Sequence, residues 1–170
     1  MGDKLEIELA PPLETADAAL FRRVCGRFPT GVTVISVLDS ENRPHGMTVS
    51  SFTSISLKPP LVMVCIDLRS TVLDHFRTSK HFVVNVLAHD QEHHSRRFST
   101  PSETRFHGVE WRGAESGAPL IEGALAHLEC STSRWFEEGD HVVLIGKVER
   151  AGYREGKPLV FFGSSYAALQ

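Results

Sequence analysis

Six hydroxyl side chains fall within nine positions of the chain, Thr48, Ser50, Ser51, Thr53, Ser54 and Ser56, with apolar residues among them. The apolar neighbours mark this segment as part of a core rather than a solvated loop. Hydroxyls gathered there are neutral donors suited to a ligand rich in acceptors, such as a phosphate or the polar edge of an aromatic ring. The competing reading is ordinary: threonine favours strands, and serine bonds its own backbone in turns. A second short group, Gly139-Asp140-His141, places a histidine two residues after a glycine that permits a tight turn. Taken alone, three residues read first as a loop histidine serving only Asp140 or a backbone carbonyl, ahead of a catalytic one. A third group, His89, Glu92, His93 and His94, contains an i, i+4 histidine pair of the kind that binds zinc on a helix. No distant third ligand is marked, so a polar helix face accounts for it and no metal is expected.

The elements that must position these groups follow from periodicity. Thr15 or Asp17 caps a first helix on which Leu20, Val24 and Phe28 share one face, and Pro29 ends it. Strands are expected over 31–38, 45–55, 61–67, 81–88, 125–130, 141–151 and 159–162, with a turn at 39–44. Short helices begin at Ser70 and Asp90, each acting as a cap, and 99–117 is mostly loop around a Val109–Trp111 element. The runs Leu61–Ile66, Phe82–Val84 and Val142–Ile145 do not alternate, so these strands are expected to be covered on both faces. Three short helices are too few for that and regular strand–helix alternation is absent. The expected architecture is therefore mainly β with a few helices: a small antiparallel barrel, paired as a homodimer partly through its outer face.

Composition narrows the class. The 170 residues favour one domain, residues 15–170, behind an N-terminal arm at 1–14. A hydrophobic share of 41%, a charged share of 23% and a net charge of −3 describe an ordinary globular chain with no footprint for nucleic acid. No apolar run approaches the ~20 residues of a membrane span, so a cytoplasmic protein is expected. Cys25, Cys65 and Cys130 are too scattered for a disulfide framework or a structural zinc site.

Over almost its whole length, from about Phe21 to Leu169, the chain resembles the short-chain flavin reductases, the reductase components of two-component flavin-dependent monooxygenases. The resemblance rests on Phe28-Pro29-Thr30-Gly31-Val32-Thr33-Val34, Gly46-Met47-Thr48-Val49-Ser50-Ser51-Phe52-Thr53-Ser54 and Pro59-Pro60-Leu61-Val62. It continues through Asn85-Val86-Leu87, Gln91, Phe98, Arg105-Phe106-His107-Gly108, Leu128-Glu129-Cys130, Gly139-Asp140-His141, Gly146-Lys147-Val148, Pro158–Phe162 and Tyr166. Ser50 stands where asparagine is frequent in the family, and Lys58 where aspartate is common.

The resemblance implies a flavin-binding split β-barrel of Greek-key type, homodimeric, that reduces free FAD or FMN (FAD ahead of FMN) with NADH, NADPH being possible, and passes reduced flavin to a separate monooxygenase. It implies flavin contacts at Thr30, Met47, Thr48, Val49, Ser50, Ser51, Ser54, Cys65, Ile66, Asp67, Ser70, Thr71, Asn85, Leu87, Gln91 and Phe98. Backbone amides at 48–50 would meet the isoalloxazine edge. The hydroxyls of Ser51, Ser54, Ser70 and Thr71 would meet phosphate, with Arg69 adding charge. Asn85 and Gln91 suit the ribityl chain or a second phosphate. His141 would lie beside the nicotinamide, and Tyr166 either covers the pyridine nucleotide or anchors the last strand. No Gly-x-Gly-x-x-Gly exists, so NADH must bind at the flavin site itself. The alternative within the same fold is a protein that holds flavin tightly, as an oxidase or a store.

Overall fold

The computed structural model describes residues 11–169. Most of the expected N-terminal arm therefore lies outside the described residues, and 11–17 carry no regular structure. Twelve strands and three helices follow in chain order: α1 (Ala18–Cys25), β1 (Thr30–Gly31), β2 (Thr33–Leu38), β3 (Pro44–Val49), β4 (Thr53–Leu57), β5 (Pro60–Asp67), α2 (Leu73–Thr78), β6 (His81–Val86), α3 (Glu92–Ser99), β7 (Trp111–Gly113), β8 (Pro119–Ile121), β9 (Ala126–Glu138), β10 (His141–Tyr153), β11 (Val160–Phe162) and β12 (Ser165–Ala167).

Seven strands form one antiparallel sheet in the order β3-β2-β6-β9-β10-β5-β4. One face of this sheet converges on a single cluster: Val49, Ile35, Val84, Phe82, Cys130, Leu144, Val142, Val64 and Ile66, plugged by Val72, Leu73 and Phe76 at α2. A sheet whose strands all bury the same face in one cluster must curl. Its two edge strands, β3 and β4, are consecutive in the chain, yet among the described residues no ladder joins them, so hydrogen bonding leaves the barrel split. A second cluster, Val32, Val34, Leu87, Phe98, Phe106, Val109, Ile121 and Leu159, packs on the outside of β2 and β6 beneath α3 and the 99–110 loop.

That second layer explains which strands are buried twice. β2 and β6 are buried on both faces, as their apolar runs imply. β5 and β10 instead alternate between buried and half-buried residues, so among the described residues their outer face is only partly covered. Met63, Cys65, Val143 and Ile145 lie there, in register across the two strands.

Several local expectations are corrected. The region 45–55 is two strands, broken at 50–52 where the chain passes from one edge of the sheet to the other. β9 runs on to Glu138 as a long ribbon with β10, since the polar stretch 131–138 gains a ladder that its composition does not advertise. Neither Ser70 nor Asp90 caps a helix: α2 and α3 start at Leu73 and Glu92 without a side-chain cap bond. Asp17 does cap α1, its Oδ1 accepting from Leu20 N at 2.7 Å. α1 stops at Cys25 and buries no residue; Phe21, Val24 and Phe28 are 62%, 60% and 74% exposed.

Candidate active site

The hairpin between β9 and β10 turns at Gly139, whose φ of +60° is the left-handed region where glycine is unstrained. This turn delivers His141 as the first residue of β10, paired in register with Asp67 at the end of β5. Leu68 N donates to Asp140 O at 3.0 Å, which ties the turn to the β5 terminus. The His141 Nδ1 lies 2.7 Å from Asp140 Oδ1, and the imidazole is 42% exposed. A carboxylate at Nδ1 places that nitrogen's proton toward Asp140 and leaves Nε2 facing outward. The same bond, with the histidine's charge behind it, lowers the pKa of Asp140 below the ordinary carboxylate value.

Beside His141, Asp67 accepts from Arg69 Nη2 at 2.7 Å, Nε at 3.1 Å and its backbone N at 2.8 Å. These bonds hold the Asp67 carboxyl far below its usual range and hold the guanidinium at the mouth of the turn. Ser70 N donates to Asp67 O at 2.9 Å, and Ser70 Oγ lies 3.5 Å from Met47 Sδ, so the 68–71 turn rests against β3. Ser51 Oγ accepts from Cys65 N at 2.8 Å and donates to Cys65 O at 3.1 Å. The fold thus brings Met47, Ser51, Cys65, Asp67, Ser70 and His141 around the ends of β3, β5 and β10.

Alternation along β3 sends Thr48 the other way. Its Oγ1 donates to Ser95 O at 2.7 Å, and Ser95 Oγ lies 2.8 Å from Tyr166 OH. Tyr166 packs edge-on against Phe161 at 5.4 Å, with the Arg96 guanidinium 4.9 Å from its ring centroid. Tyr166 therefore anchors β12 to α3. Ser95 is a residue that sequence reasoning missed, because a single serine inside a polar helix carries no signal of its own.

Six expected contacts present no free side chain. Val49 and Ile66 point into the main cluster. Asn85 is fully buried; its Nδ2 donates to Val34 O and Ser36 Oγ at 3.0 Å each, and its Oδ1 accepts from Ile121 N at 2.8 Å. Leu87 and Phe98 are fully buried in the second cluster, and both backbone groups of Leu87 are bonded, to Val32 O and Leu159 N. Gln91 accepts from Ala88 N at 3.1 Å and donates to Glu122 O at 2.7 Å. In each case the polar residue serves an interior backbone group, which a strand-and-loop pattern cannot distinguish from a ligand contact. Ser51 and Thr48 likewise use their hydroxyls inside the protein.

What is left for a ligand fits a flavin. Ser50, Ser54 and Thr71 are exposed. Thr30 Oγ1 is buried and has no hydrogen-bond partner among the described residues. β3 is an edge strand, so alternate amides along Met47–Val49 lack a ladder partner. These are neutral donors, and Arg69 stands on the 68–71 turn in an ion pair with Asp67.

A profile of the flavin reductase like domain matches residues 25–170. The chain belongs to that family. The NADH-dependent FAD reductase of Streptomyces globisporus is 44% identical to this reductase over 169 residues, 93% of this chain and 91% of that protein. The reductase subunit HsaB of a flavin-dependent monooxygenase from Rhodococcus jostii is 37% identical over 158 residues, 92% of this chain and 80% of that protein. Among solved structures, the Streptomyces globisporus NADH:FAD oxidoreductase SgcE6 in complex with NAD and FAD fragments superposes with a TM-score of 0.88 at 40% identity, covering 95% of this chain and 98% of that one.

Proposed function

We propose that this chain is an NADH-dependent flavin reductase that reduces free FAD or FMN, FAD ahead of FMN, and releases the product to a separate flavin-dependent monooxygenase. The observation that carries the reading is the exposed His141, oriented by Asp140 at a hairpin turn and set beside unpaired donors on the β3 edge. Bound flavin supplies the hydride acceptor at N5 for the hydride that NADH carries at C4. The edge amides of 47–49 and the exposed hydroxyls of Ser50, Ser54 and Thr71 would hold the acceptor atoms of that ligand. Arg69, held by its ion pair with Asp67, would offer its remaining guanidinium N–H groups to the phosphates. The neutral His141 ring offers Nε2 to the nicotinamide carboxamide; the protonated ring places positive charge where negative charge develops during transfer. Holding the nicotinamide close and aligned is the protein's main contribution.

The site is built largely of neutral donors, which favours a ligand that binds, reacts and leaves. The half-buried apolar residues Met63, Cys65, Val143 and Ile145 on the outer face of β5 and β10, with Phe136, Phe21 and Val24 exposed among the described residues, support a homodimer. None of the described helices is long and apolar enough to cross a membrane, and we place the enzyme in the cytoplasm.

The test is NADH oxidation by flavin-stripped protein with FAD, FMN and riboflavin added in turn. Many turnovers per chain with excess free flavin are expected. Flavin that stays bound while NADH is left unoxidised would overturn the reading in favour of a flavin store.

A further inference from the structure

A group of titratable side chains that the sequence reading left apart meets on the far side of the 68–72 turn. Asp39 directly follows β2, His45 lies on β3 and His75 on α2. One ligand atom from each, a carboxylate oxygen and two imidazole nitrogens, lies within 4.8 Å of the others. The two imidazoles are stacked with centroids 3.5 Å apart and planes 13° from parallel. His45 Nε2 lies 3.0 Å from Asp39 Oδ2, and these side chains are only 18% and 7% exposed. Among the described residues, no hydrogen bond satisfies the ring nitrogens of His75. Two stacked imidazoles against a buried carboxylate are not required by the turn, which Asp39 already closes by accepting from Glu41 N at 2.8 Å and Arg43 N at 2.9 Å.

We infer that Asp39, His45 and His75 form a binding site for one divalent transition-metal ion, with zinc the ion the donor set suits best. Two imidazoles and one carboxylate make a three-ligand zinc site with an open fourth position. At metal–ligand lengths of about 2.0–2.2 Å, tetrahedral ligands stand roughly 3.4 Å apart, so the cluster must close by no more than about 1.4 Å. Rotation of the half-buried His75 ring out of the stack supplies that movement. The fourth position opens toward a cavity of about 870 Å³ lined also by Thr71, Glu103, His107 and Trp111, which admits water. Arg43 Nε, 2.9 Å from Asp39 Oδ2, must yield; its side chain is 62% exposed and already reaches Glu41 at 3.3 Å. An ion here joins the β2–β3 turn to α2 and so braces the 68–72 turn. The site is not the His89–His94 group, where His93 Nδ1 instead lies 3.2 Å from Asp90 O.

The test is zinc titration of chelator-treated full-length protein by calorimetry, with metal analysis after dialysis and melting curves with and without zinc. One zinc per chain is expected, with a higher melting temperature. Affinity should fall at least about 100-fold in His75→Ala and in His45→Gln, since even outer partners of a ligand change affinity 10–100-fold. The doubly substituted His93→Ala, His94→Ala protein should bind like the native one. His75→Gln, which keeps the side-chain volume, carries the test if His45→Gln fails to fold. Absence of stoichiometric zinc in the native protein would overturn the proposal. So would native affinity in the His75 variants, or loss of binding only in the His93, His94 variant. None of these readouts depends on flavin reduction.

Discussion

His141→Ala isolates the residue on which the proposed chemistry turns. Asp140 occupies Nδ1, so a single ring nitrogen remains to face a ligand, and the substitution removes one hydrogen bond to it. Such a bond contributes about 0.5–1.5 kcal/mol from the neutral ring and about 1.5–3 kcal/mol from the protonated one. The ring is 42% exposed in the free protein, which favours the lower half of that combined range. At about 1.4 kcal/mol per factor of ten, kcat/KM for NADH should fall roughly tenfold, and at most about 100-fold if the nucleotide fully excludes water. Flavin affinity should hold, because the donors on β3 and the 68–71 turn are untouched. Folding should hold too, since His141 packs in no core cluster. The assay is anaerobic stopped-flow reduction of saturating flavin across NADH concentrations, with flavin affinity measured separately. An unchanged rate of hydride transfer would remove His141 from the mechanism. A rate loss that tracked weaker flavin binding would reassign it to the flavin site.

Three further outcomes follow from the packing. Gly146→Ala should destabilise the protein by about 1–3 kcal/mol in urea unfolding, because a Cβ there would overlap the Phe82 ring and meet Cys130 Cβ at 2.9 Å inside the main cluster. An undiminished unfolding midpoint would mean that the barrel core is looser than its geometry. Ser51→Ala should lower stability by about 1–2 kcal/mol through two lost bonds to the β5 backbone while leaving flavin affinity near native; the reverse pattern would restore Ser51 as a phosphate ligand. Asp67 is held below its usual pKa by Arg69, so its stabilising contribution is complete above the unfolded value of about 4 and is lost as pH falls toward the folded one. The melting temperature of Asp67→Asn should therefore lie below native by a constant gap from pH 7 to about 5, narrowing in stronger acid; a gap unchanged down to pH 3 would refute the pairing.

Local chemistry made much of this protein legible from its residues. β2, β5, β6 and β10 stand where β-branched runs place them, Asp39 closes the turn its Asx chemistry demands, and Gly139 turns the hairpin that presents His141. Each is governed by interactions within a few residues of chain. The family, too, was legible, because its motifs lie in order along the sequence.

Tertiary structure decided what those residues face. Asn85 and Gln91 have the side chains of a ligand site, but the second layer over β2 and β6 closes on them and turns them to interior carbonyls and amides. β5 and β10 read as doubly buried, yet among the described residues their outer faces are only half-buried. Thr48 and Met47 are neighbours sent to opposite sides of an edge strand, one to Ser95 and Tyr166, the other to Ser70. Asp39, His45 and His75 converge only because β2, β3 and α2 pack at one end of the barrel. A sequence sets each residue's period and its bonding capacity; which partner uses that capacity depends on surfaces brought together from distant parts of the chain, and those contacts leave no local mark.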